Sequence, residues 1–345
     1  MNSHLYNKKG KKDLEVDLKN ETFDRITLSF YKYVKLKQLD IFRDKLYKNL
    51  INLNVLGRVY ISEEGINAQI SIPEDRYANF TQYIYSYKEF KNLQIKRAIQ
   101  EGHSFYKLII KVKSEIVAYR INKNSYDMNK VGKHLDPIEF NEELSMPDSI
   151  IVDMRNHYES EVGHFKNAII PDIDRSQDLL KEVKRLLNGK EDKKILLYCT
   201  GGIRCEKASS FLIKNDFKDV NQLDGGIINY SHEVKKNKMK SQFIGKNFVF
   251  DARMSERITL DIISGCHQCN QKSDSHTNCE NDLCHLLFIQ CEQCNKKFKG
   301  CCCIECLDYY NLDEKNKKSK KEEFLDFNNK RLEGRVKPKL YDILN

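Results

Sequence analysis

The stretch Cys199-Thr200-Gly201-Gly202-Ile203-Arg204-Cys205 holds the residue types and spacing best suited to chemistry. The apolar run Lys193 to Tyr198 ahead of it reads as a buried strand, and Cys205 to Lys214 behind it reads as a helix. Gly201 and Gly202 let the chain turn with its amides facing inward, so the loop becomes a cradle of N–H donors at a helix N-terminus. Those donors and the permanently charged Arg204 favour a thiolate over a thiol. Cys199 is therefore expected to be a nucleophile rather than a packed strand-end thiol. Cys205, at the helix start, is either a disulfide partner for it or a packing residue.

A second set of chemistry-bearing residues lies near the C-terminus. Of the 12 cysteines, none precedes Cys199, two lie in its loop, and the rest crowd between Cys266 and Cys306. The pairs Cys266/Cys269, Cys279/Cys284, Cys291/Cys294 and Cys303/Cys306 have the spacing of knuckles that set two thiolates on one tetrahedral ion. Structural zinc is the expectation, with redox disulfides as the rival. One cross-braced arrangement puts Cys266, Cys269, Cys291 and Cys294 on one ion and Cys279, Cys284, Cys303 and Cys306 on another. Sequential pairing is equally allowed, and His267, His276 or His285 could replace a thiolate.

The elements that must position these groups follow from the rest of the chain. At 345 residues it can hold two or three cores. Charged residues make up 32% of it, and no apolar run approaches the ~20 residues of a membrane span. The polar N-terminus makes the cytoplasm the expected location. The net charge of +9 suits an acidic partner such as RNA or a solvated lysine surface equally well. Residues 1–22 read as a flexible arm. Residues 23–125 carry a β-α-β-β-α-β pattern, from Ile26–Val34 to a closing strand at Phe105–Val112 that Ile116–Tyr119 could extend, which fits a ferredoxin-like α+β domain. Residues 126–240 alternate strands and helices, as in a parallel α/β domain with its active loop at a strand's C-terminal end. Residues 241–307 form the Cys-rich zinc module, whose Lys246, Arg253 and Arg257 are candidate RNA contacts. Residues 308–345 read as a flexible charged tail.

Several of these motifs carry a resemblance. The strand ending in Asp153-Met-Arg155, the pair Gly163-His164, the Cys199 loop and Asp224-Gly-Gly226 are similar to rhodanese-like domains, whose loop cysteine carries a persulfide. Cysteine phosphatases use a similar cradle with one more residue between Cys and Arg, so phosphate is disfavoured here. Together with Ser29–Tyr33, Gly57–Tyr60, Glu64–Ile70, Phe243–Phe250 and Cys266-His-Gln-Cys269, the chain from about Ile26 to Cys306 closely resembles the rhodanese-like tRNA uridine hydroxylases. The resemblance implies an enzyme that uses dioxygen to convert wobble uridine 34 in the anticodon arm of tRNA to 5-hydroxyuridine. It implies Cys199 as the active cysteine, with Asp153 and Arg155 supporting its loop. The reductant and any protein partner are not implied. The residues by themselves leave two other readings: a sulfurtransferase working through a Cys199 persulfide, and a non-enzymatic zinc-containing RNA-binding protein.

Overall fold

The computed structural model describes Leu5, residues 9–332 and Leu340. The first domain is a sheet backed by helices. After helix α1 (Lys11–Lys19) come β1 (Arg25–Tyr33), α2 (Leu39–Asn52), β2 (Leu56–Ser62), β3 (Gly65–Pro73), α3 (Tyr77–Tyr85), β4 (Lys96–Arg97) and β5 (Leu108–Val112). The sheet order is β4-β1-β3-β2-β5. Alternation along β1 sends Ile26, Leu28 and Phe30 into the core beneath α2 and α3. Ser29 and Tyr31 then fall on the opposite, polar face.

Two expectations for this domain need correction. The fourth strand is the two-residue β4 beside β1, too short to show any periodicity in the sequence. The strand at Leu108–Val112 is instead a fifth one, added parallel to β2 at the far edge. Ile116–Tyr119 does not extend it; this segment is a loop whose Ile116 amide donates to Glu64 Oε1 and whose Tyr119 hydroxyl donates to Arg204 O.

The second domain comprises β6 (Lys133–Leu135), α4 (Pro137–Glu143), β7 (Ser149–Asp153), α5 (His157–Ser160), β8 (Gly163–Phe165), α6 (Ser176–Leu186), β9 (Lys194–Tyr198), α7 (Ile203–Lys214), β10 (Asp219–Leu223) and α8 (Gly226–Lys236). Its sheet is parallel in the order β6-β10-β9-β7. Strand β9 and the residue after it feed both faces: Ile195, Leu197 and Cys199 join the core under α6 and α7, whereas Leu196 and Tyr198 join the one under α4 and α8. This double burial is why β9 reads as a continuous apolar run.

The Cys-rich region is stitched to the α/β domain by β11 (Phe243–Phe248), which pairs with β8 on one side and β12 (Ser255–Arg257) on the other. It continues through the hairpin β13 (His276–Asn278) and β14 (Leu287–Ile289), then α9 (Glu292–Phe298), α10 (Ile304–Tyr310) and α11 (Glu314–Leu332).

Both chain ends differ from the expected flexible segments. In the N-terminal arm, α1 buries Leu18; residues 1–4 and 6–8 lie outside the described residues. Within the charged tail Glu314–Leu332 forms α11, and Phe324 and Leu340 pack with Phe288, Cys302 and Tyr309; residues 333–339 and 341–345 lie outside the described residues. A charged helix with few apolar positions reads as solvated, yet those few suffice when a cluster waits for them. Among the described residues, no helix is long and apolar enough to cross a membrane.

Candidate active site and metal centres

Cys199 directly follows β9 and Ile203 starts α7, so the loop they bound sits at the C-terminal edge of the parallel sheet. Gly202 has φ +98°, and its amide donates to Cys199 Sγ at 3.1 Å. A side chain there would be strained by that φ and would press on the Tyr31 hydroxyl. Gly226, at φ +67°, lets the start of α8 approach closely: a Cβ at this position would lie 2.5 Å from Cys199 O. The amides of Ile227 and Ile228 then donate to Cys199 O and Thr200 O. The loop is thus held from both sides by backbone.

Burial pushes the Cys199 thiol up, but its neighbours outweigh that. The Cys205 thiol, the Arg204 guanidinium and the amides of Arg204 and Gly202 bring it down to about 5. Cys205 moves the other way, raised by burial and by Cys199, and so remains the proton-bearing partner. Cys199 has no exposed surface, although it lines a cavity of about 560 Å³ between the first two domains.

Arg204 is held by Glu159, a residue the sequence did not single out. Its guanidinium makes two hydrogen bonds to that carboxylate, at 2.7 and 2.8 Å, and a third to Thr200 Oγ1. Asp153 and Arg155 stand one layer further back. They form a fully buried ion pair, and Asp153 also accepts from the hydroxyls of Tyr198, the residue before Cys199, and Ser160. Burial raises the Asp153 carboxyl, yet Arg155 and these hydroxyls hold it below the ordinary carboxylate range. Asp153→Ala would leave Arg155 charged, buried and unpaired. We expect it to cost about 3–5 kcal/mol in urea unfolding, with a well-folded wild-type midpoint as reference.

The first domain closes over this loop through contacts invisible to a linear reading. Lys96 donates to Gly201 O, and its ammonium lies 4.7 Å from the Tyr31 ring centroid. The Tyr31 hydroxyl donates to Glu206, and that of Tyr33 donates to Ile203 O. Lys207, fully buried on α7, binds Glu64 at 2.9 Å and Glu115 at 3.1 Å, both from the first domain. Glu206 in turn bonds His134 and Gln222. In the sequence, Glu206 and Lys207 announced only a helix; their partners lie far away along the chain.

Lys246, Arg253 and Arg257 are not a free basic surface. Lys246 and Arg257 both pair with Asp274, while Arg253 pairs with Asp251 and Glu256. These bridges knit the bridging segment to its neighbours and neutralise the charges proposed for RNA.

The cysteines assemble into two groups of four. Cys266, Cys269, Cys291 and Cys294 form one group, the cross-braced alternative, with sulfurs within 4.8 Å of one another. The other is Cys279, Cys284, Cys302 and Cys306, so Cys302 replaces the expected Cys303. The cause is local geometry. Cys303 is the extended residue before α10, where successive side chains point to opposite sides. Cys302 Sγ therefore lies 3.5 Å from Cys306 Sγ, while Cys303 Sγ meets the Arg331 guanidinium at 2.8 Å. Two of the three candidate histidine ligands are engaged elsewhere: His267 with Glu161, and His276 with Tyr158 O. Four thiolates at ~2.3 Å from a tetrahedral zinc ion would sit roughly 3.8 Å apart. Separations of 3.6 Å for Cys269–Cys291 and 3.7 Å for Cys284–Cys302 fit that ion well.

Comparison with known proteins agrees with this division. Residues 25–116 match a family described as UPF0176 acylphosphatase-like domain, 136–233 the rhodanese-like domain, and 244–307 a rhodanese C-terminal family. A tRNA uridine(34) hydroxylase of Leptospira interrogans is 48% identical over 340 residues, covering 98% of this chain and 93% of that protein. Proteins of the same name from Yersinia enterocolitica and Photorhabdus laumondii are 44% and 45% identical, each covering 92% of this chain and 91% of the relative. With its thiolate loop, its covering acylphosphatase-like sheet and its cysteine clusters all within those matches, this chain belongs to the tRNA uridine(34) hydroxylase family.

Proposed function

We propose that this protein hydroxylates C5 of uridine 34 in tRNA, in the cytoplasm, using Cys199 as a nucleophile. The observation that carries this reading is a thiolate stabilised to a pKa of about 5 at the floor of a cavity shared by two domains, in a chain of this family. Addition of the Cys199 thiolate to C6 of uracil turns C5 into an enolate-like carbon able to attack an electrophilic oxygen. Loss of the C5 proton and departure of the thiolate then restore the ring. With dioxygen as oxidant, the balance is uracil, dioxygen, two electrons and two protons giving 5-hydroxyuracil and water. A two-electron donor is therefore required. Because Cys199 has no exposed surface, the lining above it must part as the anticodon base enters.

The eight clustered cysteines fit two zinc ions with a structural role, since four thiolates leave no open coordination position. They would hold the C-terminal module and α11 in place while taking no part in the chemistry.

The test is mass spectrometry of tRNA nucleosides from a deletion strain. We expect 5-hydroxyuridine and its derivatives to disappear, to return with the wild-type gene, and to stay absent with Cys199→Ser. Loss of a sulfur atom instead of an oxygen would point to sulfurtransfer. An unchanged wobble uridine would refute hydroxylation.

A further inference from the structure

The polar face of the first domain's sheet forms a roof over the Cys199 cavity, and its strand register sets the roof's residues in rows. Ser29, Gln69 and Arg58 are directly opposed across β1, β3 and β2, with Lys96 extending the row on β4. In the next row Tyr31, Asn67 and Tyr60 are opposed in the same way. All seven line the cavity that also contains Cys199 and Arg204. A half-buried sheet face mixing aromatic, amide and cationic side chains is the kind of surface on which unpaired RNA bases stack and are read along their edges.

Within this roof the two carboxamides are oriented by a one-way chain of hydrogen bonds. A backbone carbonyl can only accept, so Ile116 O requires the Asn67 Nδ2 donor, at 3.2 Å. Asn67 Oδ1 must then face the other way, where it accepts from Gln69 Nε2 at 2.6 Å. Neither amide can flip without setting oxygen against oxygen. Gln69 is left with its carboxamide oxygen free of any partner among the described residues. The roof therefore presents an acceptor of fixed position, and a base edge carrying an N–H there is favoured.

The charges around it agree with an anionic ligand. The Arg58 guanidinium lies 5.6 Å from the Phe105 ring centroid and the Lys113 ammonium 5.7 Å from that of Tyr60, and neither enters an ion pair among the described residues. The carboxylates lining the same cavity are each engaged by a cation: Glu115 by Lys207, and Asp251 and Glu256 by Arg253.

We propose that Gln69 is the base-reading residue of this site, its oriented carboxamide oxygen accepting the N3–H of the target uracil in a nucleotide subsite completed by Asn67, Tyr60 and Arg58. The proposal rests on the reading of tRNA as substrate. Uracil offers a donor at N3, whereas cytosine offers a lone pair at the same position and would face the Gln69 oxygen with like charge. The orientation imposed from Ile116 is thus a device for accepting one pyrimidine and refusing the other.

The test uses full-length Cys199→Ser protein, which keeps the roof and lacks the nucleophile, and measures binding of fluorescent anticodon stem-loops carrying uridine or cytidine at position 34. We expect uridine to bind roughly ten- to a hundredfold more tightly, the discrimination of one well-made base contact. Adding Gln69→Leu should erase the preference by weakening uridine alone, with an unchanged melting temperature. A stem-loop with N3-methyluridine should weaken the parent and leave Gln69→Leu unaffected. A uridine preference that survives Gln69→Leu overturns the proposal while leaving tRNA as the substrate. Failure of both stem-loops to bind above a scrambled RNA overturns the proposal together with the reading beneath it.

Discussion

Cys199→Ser is expected to lower 5-hydroxyuridine formation by on the order of 10³-fold or more, because removal of a nucleophile leaves only binding and electrostatics to act on the substrate. The pH profile makes the same point without a mutation. An ordinary thiol, with a pKa of about 8.5, would give a rate that climbs across the alkaline range. Here the thiolate form persists down to about pH 5. The group is active when deprotonated, so kcat/KM should be level near neutrality and fall as the pH drops through about 5. Arg204→Met removes the guanidinium that helps to hold the thiolate, and its acid limb should move upward. Glu159→Gln should shift it less, since it only loosens the Arg204 clamp. Rates measured on an anticodon stem-loop from pH 4 to 9 decide the matter. A wild-type limb near the ordinary thiol value would mean that the cradle does not stabilise the anion.

The second large effect concerns the metal groups. Each of the two cysteine quartets is expected to carry one zinc ion, so metal analysis should find two per chain. Zinc binding to four thiolates supplies apparent free energies of about 10–16 kcal/mol in small domains. Strong chelation should therefore unfold the region from Cys266 to Leu332, seen as new protease cleavage there, while the parallel sheet survives. Single substitutions separate the neighbours at the second site. Cys302→Ser should drop the content to one ion. Cys303→Ser should keep both and only weaken the grip of Arg331 on α11. The opposite pattern would restore the Cys303/Cys306 knuckle read from spacing alone.

Chemistry carried by neighbours in the chain was legible before any coordinates. The loop from Cys199 to Cys205, the apolar strand before it and the knuckles at Cys266 and Cys291 each depend on residues a few positions apart. Spacing constrains such groups because backbone geometry does. The cysteine triplet shows where this stops. Cys302 and Cys303 have equal claims on paper, and only the extended backbone entering α10 turns one sulfur inward and the other towards Arg331. The basic bridging segment meets a related limit. A lysine or arginine looks free until its carboxylate is located, and Asp274 proved to pair with two of the three residues assigned to RNA.

Local pattern alone thus singled out the cysteine on a strand-to-helix turn and the clustered cysteines, because both rest on short-range stereochemistry. Which surfaces face that cysteine was decided only on folding. Glu159 beneath Arg204, Lys207 locked between Glu64 and Glu115, and the Asn67–Gln69 chain above the cavity come from strands and helices up to about 140 residues apart. Nothing local encodes such encounters; they follow from the register of β1, β2 and β3 and from the docking of that sheet on α7.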